Sequence, residues 1–178
     1  MLYFITGNKN KFEEVRAILP DVEQLDINLP EIQEIDAHII IKAKLLAAFP
    51  HAKGEFIVED TSLYLDALNG LPGPLIKWFL KAIGNDGLFN LAEKLANKKA
   101  IAKTIIGYAK NENEVHFFEG VVSGKIVQPQ SVSGFGWDPI FLPDTHQKTF
   151  AEMSKDEKNQ ISMRRIAVNK LSDFLKNK

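Results

Sequence analysis

Apolar residues in this 178-residue chain fall alternately into short runs and helical stripes. Leu2-Tyr3-Phe4-Ile5 is a compact aromatic-rich run closed by Thr6-Gly7, the signature of a buried strand. Phe12, Val15, Ile18 and Leu19 then recur at helical spacing until Pro20 stops them. Residues 21–29 predict a second strand ended by Pro30. Asp36 is a candidate N-cap for a helix running to about Phe49. Glu55 to Val58 predicts a third strand. The turn-rich elbow Gly70-Leu71-Pro72-Gly73-Pro74 introduces a short apolar helix from Leu75 to Ile83, with Trp78 assigned to the core. A further helix over 87–96 places Leu88, Leu91 and Leu95 on one face. Residues 100–110 and 115–122 predict a hairpin turned by Asn111-Glu112-Asn113, with 124–127 as a continuation and 128–134 as a Pro/Ser/Gly loop. Ser154-Lys155-Asp156-Glu157 matches a capping box for a helix over 155–160. The last helix, about 163–176, buries Ile166, Ala167, Leu171 and Phe174.

Composition narrows the class. A 45% hydrophobic and 25% charged chain is an ordinary soluble globular protein, one large domain or two lobes sharing a site. The net charge of −1 argues against a duplex nucleic-acid binder, which needs a basic face. No cysteine is present, so disulfides and thiolate metal sites are excluded. The first apolar run is too short for a signal or membrane segment, and a cytoplasmic protein with no membrane contact is expected.

Candidate chemistry lies in three stretches. Thr6-Gly7-Asn8-Lys9-Asn10-Lys11 joins a strand to a helix, offering backbone N–H groups, a positive helix end and two lysines to an anion. It is not a Walker A loop, and a plain turn with solvated lysines accounts for it about as well. Glu59-Asp60-Thr61-Ser62 ends an apolar strand with two carboxylates and two hydroxyls. Hard oxygen ligands of that kind suit Mg²⁺, with a second carboxylate to orient water; an N-capping Asp60 before a turn is the plainer alternative. Phe135-Gly136-Trp137-Asp138-Pro139 offers aromatic faces and one carboxylate to a flat polar ligand, or alternatively is a strand with a glycine kink. In the 36–49 helix Lys42 and Lys44 lie about 200° apart, so only one of them can face a site. The four histidines show no metal-ligand spacing, and hydrolase-elbow, kinase and dinucleotide fingerprints are absent.

These blocks, in order, resemble the inosine triphosphate pyrophosphatase family, in its eukaryotic-type wording. The resemblance runs through residues 6–11, Leu29-Pro30-Glu31-Ile32-Gln33, Val58-Glu59-Asp60-Thr61, residues 70–74 and Lys77-Trp78-Phe79. It continues through Phe135 to Phe141, Phe150-Ala151-Glu152-Met153 and Glu157-Lys158-Asn159. It implies an α/β fold of the Maf/ITPase type: an elongated, mixed, twisted sheet flanked by helices, a single domain over 1–178 with two lobes around a central cleft. It also implies Mg²⁺-dependent hydrolysis of ITP, dITP and XTP to monophosphate and pyrophosphate, with Mn²⁺ a possible substitute, by a homodimer.

By position, the resemblance implies that Thr6, Gly7, Asn8, Lys9, Asn10 and Lys11 cradle phosphates. Glu31, Glu59 and Asp60 form the metal set, and Asp60 also activates water. Thr61, Lys42 and Lys77 contact substrate. Phe135, Gly136, Trp137 and Asp138 form the base pocket, and Lys158 and Arg164 reach the base. Met163 stands where the family usually has histidine, which weakens base discrimination rather than the pyrophosphate chemistry. Two other readings follow: a nucleoside triphosphate pyrophosphatase of broader specificity, and a nucleotide-binding module without catalysis.

Overall fold

The computed structural model describes residues 1–130 and 135–178. Their strands form a seven-stranded mixed sheet ordered β2 (Glu23–Leu25), β1 (Leu2–Ile5), β3 (Glu55–Leu65), β5 (Lys99–Asn111), β6 (Glu114–Ile126) and β7 (Phe141–Pro143), with β4 (Pro72–Gly73) paired to β3. The chain divides into two compact units. The first comprises Met1–Thr61, Thr104–Gly120 and Met163–Lys178, and the second Ser62–Lys103 and Val121–Ser162.

In the first unit β1 (Leu2–Ile5) runs parallel to both β2 (Glu23–Leu25) and the start of β3 (Glu55–Leu65). Parallel pairs need crossovers, and α1 (Lys9–Arg16) and α2 (Ala37–Ala48) supply them. A strand with both faces covered must be apolar throughout, and β3 meets that condition with Phe56-Ile57-Val58. Ile57 packs with Phe4, Phe12, Val15, Ile106, Val168 and Leu171 on one side. Phe56 and Val58 pack with Ala37, Ile41, Leu45 and Ile105 on the other. The first side is closed by α5 (Met163–Lys176), whose start lies against β6. A Cβ on Gly120 of β6 would sit 1.8 Å from the Met163 carbonyl oxygen, so only glycine permits that approach.

The second unit holds the end of β3, β4 (Pro72–Gly73), α3 (Ile76–Lys94), the start of β5 (Lys99–Asn111) and the end of β6 (Glu114–Ile126). A 3₁₀ turn over Asp138–Ile140, β7 (Phe141–Pro143) antiparallel to β6, and α4 (Lys155–Ile161) complete it.

The expected capping box is formed: Ser154 Oγ accepts from Glu157 N, and Glu157 Oε2 from Ser154 N. Asp36 caps α2 as expected, accepting from His38 N at 2.9 Å. Several expectations need correction. The strand expected over 21–29 pairs only across Glu23–Leu25. The two helices expected at 75–83 and 87–96, by contrast, are both present within α3, separated where Gly84 turns non-helical (φ 65°, ψ −173°). Leu88 is buried there, but Leu95, at the C-cap, is exposed. Trp78 is not core. It is 46% exposed, with the Lys77 and Lys81 ammonium groups 5.9 and 5.7 Å from its ring, because the first half of α3 buries only Ile76. The segment 135–140 is a turn and 3₁₀ helix rather than a kinked strand, and β7 starts only at Phe141. Most of the loop expected over 128–134 lies outside the described residues.

Candidate active site

The loop after β1 is locked by its own polar side chains. Asn8 caps α1, its Oδ1 accepting from Lys11 N, while Asn8 N donates to Thr6 Oγ1 at 3.1 Å. Gln24 Nε2 holds the Thr6 carbonyl at 2.7 Å. With Lys11 N taken by the Asn8 cap, the amides of exposed Lys9 and Asn10, which have no i−4 partner within the helix, are the donors an anion needs.

Glu59 lies beneath α1 and α5 with its side chain 2% exposed. Strand alternation puts it on the Ile57 face of β3. Arg164, from α5, donates through Nε to Oε2 at 2.7 Å and through Nη2 to Oε1 at 2.9 Å. Lys11 Nζ is 2.9 Å from Oε1, and Thr61 Oγ1 donates to the same oxygen at 3.2 Å. Burial alone would push the Glu59 carboxyl up, but Arg164 and Lys11 hold it well below the usual carboxylate range. For Arg164, burial acts to lower its basicity, and Glu59 and Glu14 more than reverse that. Arg164 Nη1 reaches Glu14 Oε2 at 2.5 Å. In this state the guanidinium is a counter-ion inside the first unit rather than an arm extended to a base.

Asp60, one residue on, is sent by the same alternation to the α2 face of β3 and is half-buried. On that side Glu31 pairs with Lys44 of α2 at 2.5 Å. A cavity of about 160 Å³ there is lined by Thr6, Glu31, Lys44, Val58 and Glu59 among others. It brings together the end of the phosphate loop and two members of the expected acidic set. Lys42, the lysine expected at the substrate, is exposed, whereas Lys44 has a side chain only 17% exposed. Lys44 sits three residues beyond Ile41 and four before Ala48, both buried, so helical periodicity already puts it on the inner side. Glu14 also went unpredicted. It resembles any solvated helix glutamate until α5 is brought beside α1.

In the second unit, Trp137 and Asp138 are buried at the start of the 3₁₀ turn. Lys158 Nζ meets Asp138 Oδ2 at 2.5 Å and lies 5.3 Å from the Phe150 ring centre. Trp137 packs at right angles to Phe141 (5.5 Å) and close to Phe150 (6.1 Å), so it is anchored in an aromatic cluster. Phe135 is the opposite case, 77% exposed. Gly136 adopts φ 63°, a left-handed conformation that suits glycine, and its carbonyl accepts from Asn85 Nδ2 at 3.0 Å. Lys77 is exposed on α3. Met163, in the first unit, is 5% exposed.

Among the described residues no three histidine or carboxylate groups cluster as a protein-only metal cage. Mg²⁺ does not require one, since it commonly takes one or two carboxylates plus substrate phosphates. Glu31, which lines the cavity with Glu59, and Asp60, the residue after Glu59 on β3, are carboxylates of the kind that requirement needs. Glu59, with three donors on Oε1 and one on Oε2, is already neutralised by protein cations.

An α/β sheet that ends a parallel strand in a capped, lysine-bearing helix start beside paired acids defines an α/β protein equipped to receive an anion at a strand end. Comparison gives the family: the Ham1 family model matches residues 2–174, and the chain belongs to that family. It is 43% identical to the inosine triphosphate pyrophosphatase of Schizosaccharomyces pombe, over 98% of this chain and 94% of that protein. It is likewise 43% identical to the inosine triphosphate pyrophosphatase of Saccharomyces cerevisiae, over 98% and 95%. The solved structure of a HAM1 protein from Coxiella burnetii superimposes over 100% of both chains with a TM-score of 0.81 at 27% identity. The mixed-sheet α/β fold and the family resemblance are thereby borne out.

Proposed function

We propose that this protein is a nucleoside triphosphate pyrophosphohydrolase that converts ITP, dITP and XTP to their monophosphates and pyrophosphate. The observation that carries it is the phosphate loop locked onto the buried Glu59–Arg164–Lys11 cluster, in a chain 43% identical to two inosine triphosphate pyrophosphatases. Lys9, Lys11 and the first-turn amides of α1 neutralise triphosphate charge. Glu31 and Asp60 would hold a divalent cation, Mg²⁺ or Mn²⁺, whose chemistry when bound is to withdraw charge from the phosphates. Asp60 orients the attacking water toward the α-phosphorus, and pyrophosphate leaves. The proposal includes a homodimer in the cytoplasm, on the family resemblance.

A panel of ITP, XTP, GTP and ATP with Mg²⁺, read by separating monophosphate and pyrophosphate, tests the reading. ITP and XTP are expected to yield pyrophosphate. Stepwise phosphate loss, or no turnover, would refute it, the latter leaving a binding module.

A second reading, relaxed base choice, rests on Met163. Its side chain is buried and its thioether is at best a weak acceptor, so it offers no strong hydrogen bond at a base edge. A site that leaves a hydrogen bond unread discriminates weakly. The same panel decides: GTP turnover within about tenfold of ITP, a gap of about 1.4 kcal/mol, would support relaxed choice.

Lys158 provides a separate test in the second unit. Lys158→Met leaves the buried Asp138 carboxylate without its cation, so a stability loss of about 1–3 kcal/mol is expected in urea unfolding. If Lys158 also contacts the base, KM for ITP rises while kcat changes little.

A further inference from the structure

Thr104 is fully buried on β5, where an unpartnered hydroxyl would be costly. Its Oγ1 lies 2.8 Å from Thr61 Oγ1, whose own hydroxyl is 3.2 Å from Glu59 Oε1. The order of protons along this row is fixed by chemistry. Glu59 Oε1 receives Arg164 Nη2 and Lys11 Nζ, and Thr61 Oγ1 donates its single proton to the same oxygen. Thr104 must then donate into the Thr61 oxygen.

We infer that Thr104 is a positioning residue for the phosphate loop, acting through Thr61 and Glu59 on Lys11. Glu59 Oε1 is the atom that receives both Thr61 and the Lys11 ammonium. A carboxylate on a free Cγ–Cδ torsion could rotate that oxygen away, since this terminal torsion is broad. The Thr61 hydroxyl, oriented from behind by Thr104, holds one side of Oε1 while Arg164 holds the other. Successive hydrogen bonds of one sense also polarise each other, so loss of the buried end weakens the whole row. The row has a consequence for Thr61 as well. Its proton is committed to Glu59, so toward substrate it offers its oxygen and not a donor. Thr104 lies fully buried on β5 behind Thr61, outside every block of the sequence resemblance.

The inference rests on the proposed pyrophosphatase activity, so the experiment carries its own control. Wild-type release of pyrophosphate from ITP establishes the reaction. Thr104→Val, which keeps the shape and removes the hydroxyl, is then compared with Thr104→Ser, which keeps the donor. Lys11 serves phosphates in ground and transition states alike, so a misdirected ammonium lowers kcat/KM. A fall of about tenfold is expected for Thr104→Val, of the order a single hydrogen bond supplies, with Thr104→Ser within about twofold of wild type. Thr61→Val and Thr61→Val/Thr104→Val complete a double-mutant cycle, followed by kcat/KM and by thermal unfolding in EDTA. A relay predicts that the double variant loses little beyond Thr61→Val in kcat/KM. Additive losses would overturn the inference. So would a Thr104→Val enzyme with wild-type kcat/KM, or a Thr104→Ser enzyme as impaired as Thr104→Val. An absence of wild-type turnover would instead refute the underlying function.

Discussion

Replacing Arg164 by methionine is expected to lower the free energy of unfolding by about 3–5 kcal/mol at neutral pH, the usual cost of removing one partner of a buried ion pair. The reason is local. Glu59 is almost wholly shielded from water and loses both arms of the guanidinium fork, and Glu14 loses its cation as well. Only Lys11 and the Thr61 hydroxyl then offset the desolvation of the carboxylate. The effect has a defined pH dependence. In the native protein the folded-state pKa of Glu59 lies below its unfolded value of 4.5. Its contribution is therefore full above about pH 4.5 and is lost only as pH falls toward the depressed folded value. In Arg164→Met the largest influence, burial, is opposed only by Lys11 and the Thr61 hydroxyl, so the folded pKa rises and acid relieves the variant by protonating Glu59. The gap between wild type and variant should be widest at pH 7 and narrow toward pH 4, as urea unfolding at the two pH values would measure. A second change, Glu59→Gln on the Arg164→Met background, should recover part of the loss at pH 7. A variant as stable as wild type at pH 7 would show that the Arg164–Glu59 pair carries no net stability.

How far the chain could be read in advance follows from the range of the signals. The capping box at 154–157, the Asp36 cap and the helix over 163–176 involve residues within four positions of one another, and local chemistry specifies them. The two helices on either side of Gly84 are local in the same way, since a glycine at φ 65° interrupts the helical stripe where the sequence pattern itself breaks. The acidic strand end was legible as chemistry but not as geometry. Alternation turns Glu59 toward Arg164 and Lys11 and Asp60 the other way, and sequence spacing alone does not tell which of the two carboxylates the protein's own cations occupy. Arg164 was legible as a cation near the end of the chain. That it closes over Glu59, 105 residues away, depends on the packing of α5 beside α1, for which sequence spacing holds no signal. Lys44 was within reach of periodicity, yet the family wording pointed to Lys42. Trp78 shows the limit of composition-based expectation, since a tryptophan on a short helix is usually buried, and here two lysines flank it in the open.

The opposite fates of Glu59 and Asp60 give the second large effect. Asp60→Asn is expected to reduce kcat for ITP by about 10²–10⁴, the span that a positioned general base contributes, while leaving KM within about threefold. Asparagine has nearly the volume of aspartate and Asp60 is half-buried, so the unfolding midpoint should change little. Glu59→Gln is expected to behave in reverse. It strips the charge from a carboxylate held by Arg164 and Lys11, leaving Lys11 without its anion and Arg164 with Glu14 alone, so stability falls. Activity then falls through the misplaced Lys11, chiefly as a higher KM. Measuring kcat, KM and urea unfolding for both variants separates the two roles. Undiminished pyrophosphate release by Asp60→Asn would remove Asp60 from water activation. A Glu59→Gln enzyme of wild-type stability with a collapsed kcat would place the chemistry on Glu59 instead, and would require Arg164 and Lys11 to let go of that carboxylate when substrate binds.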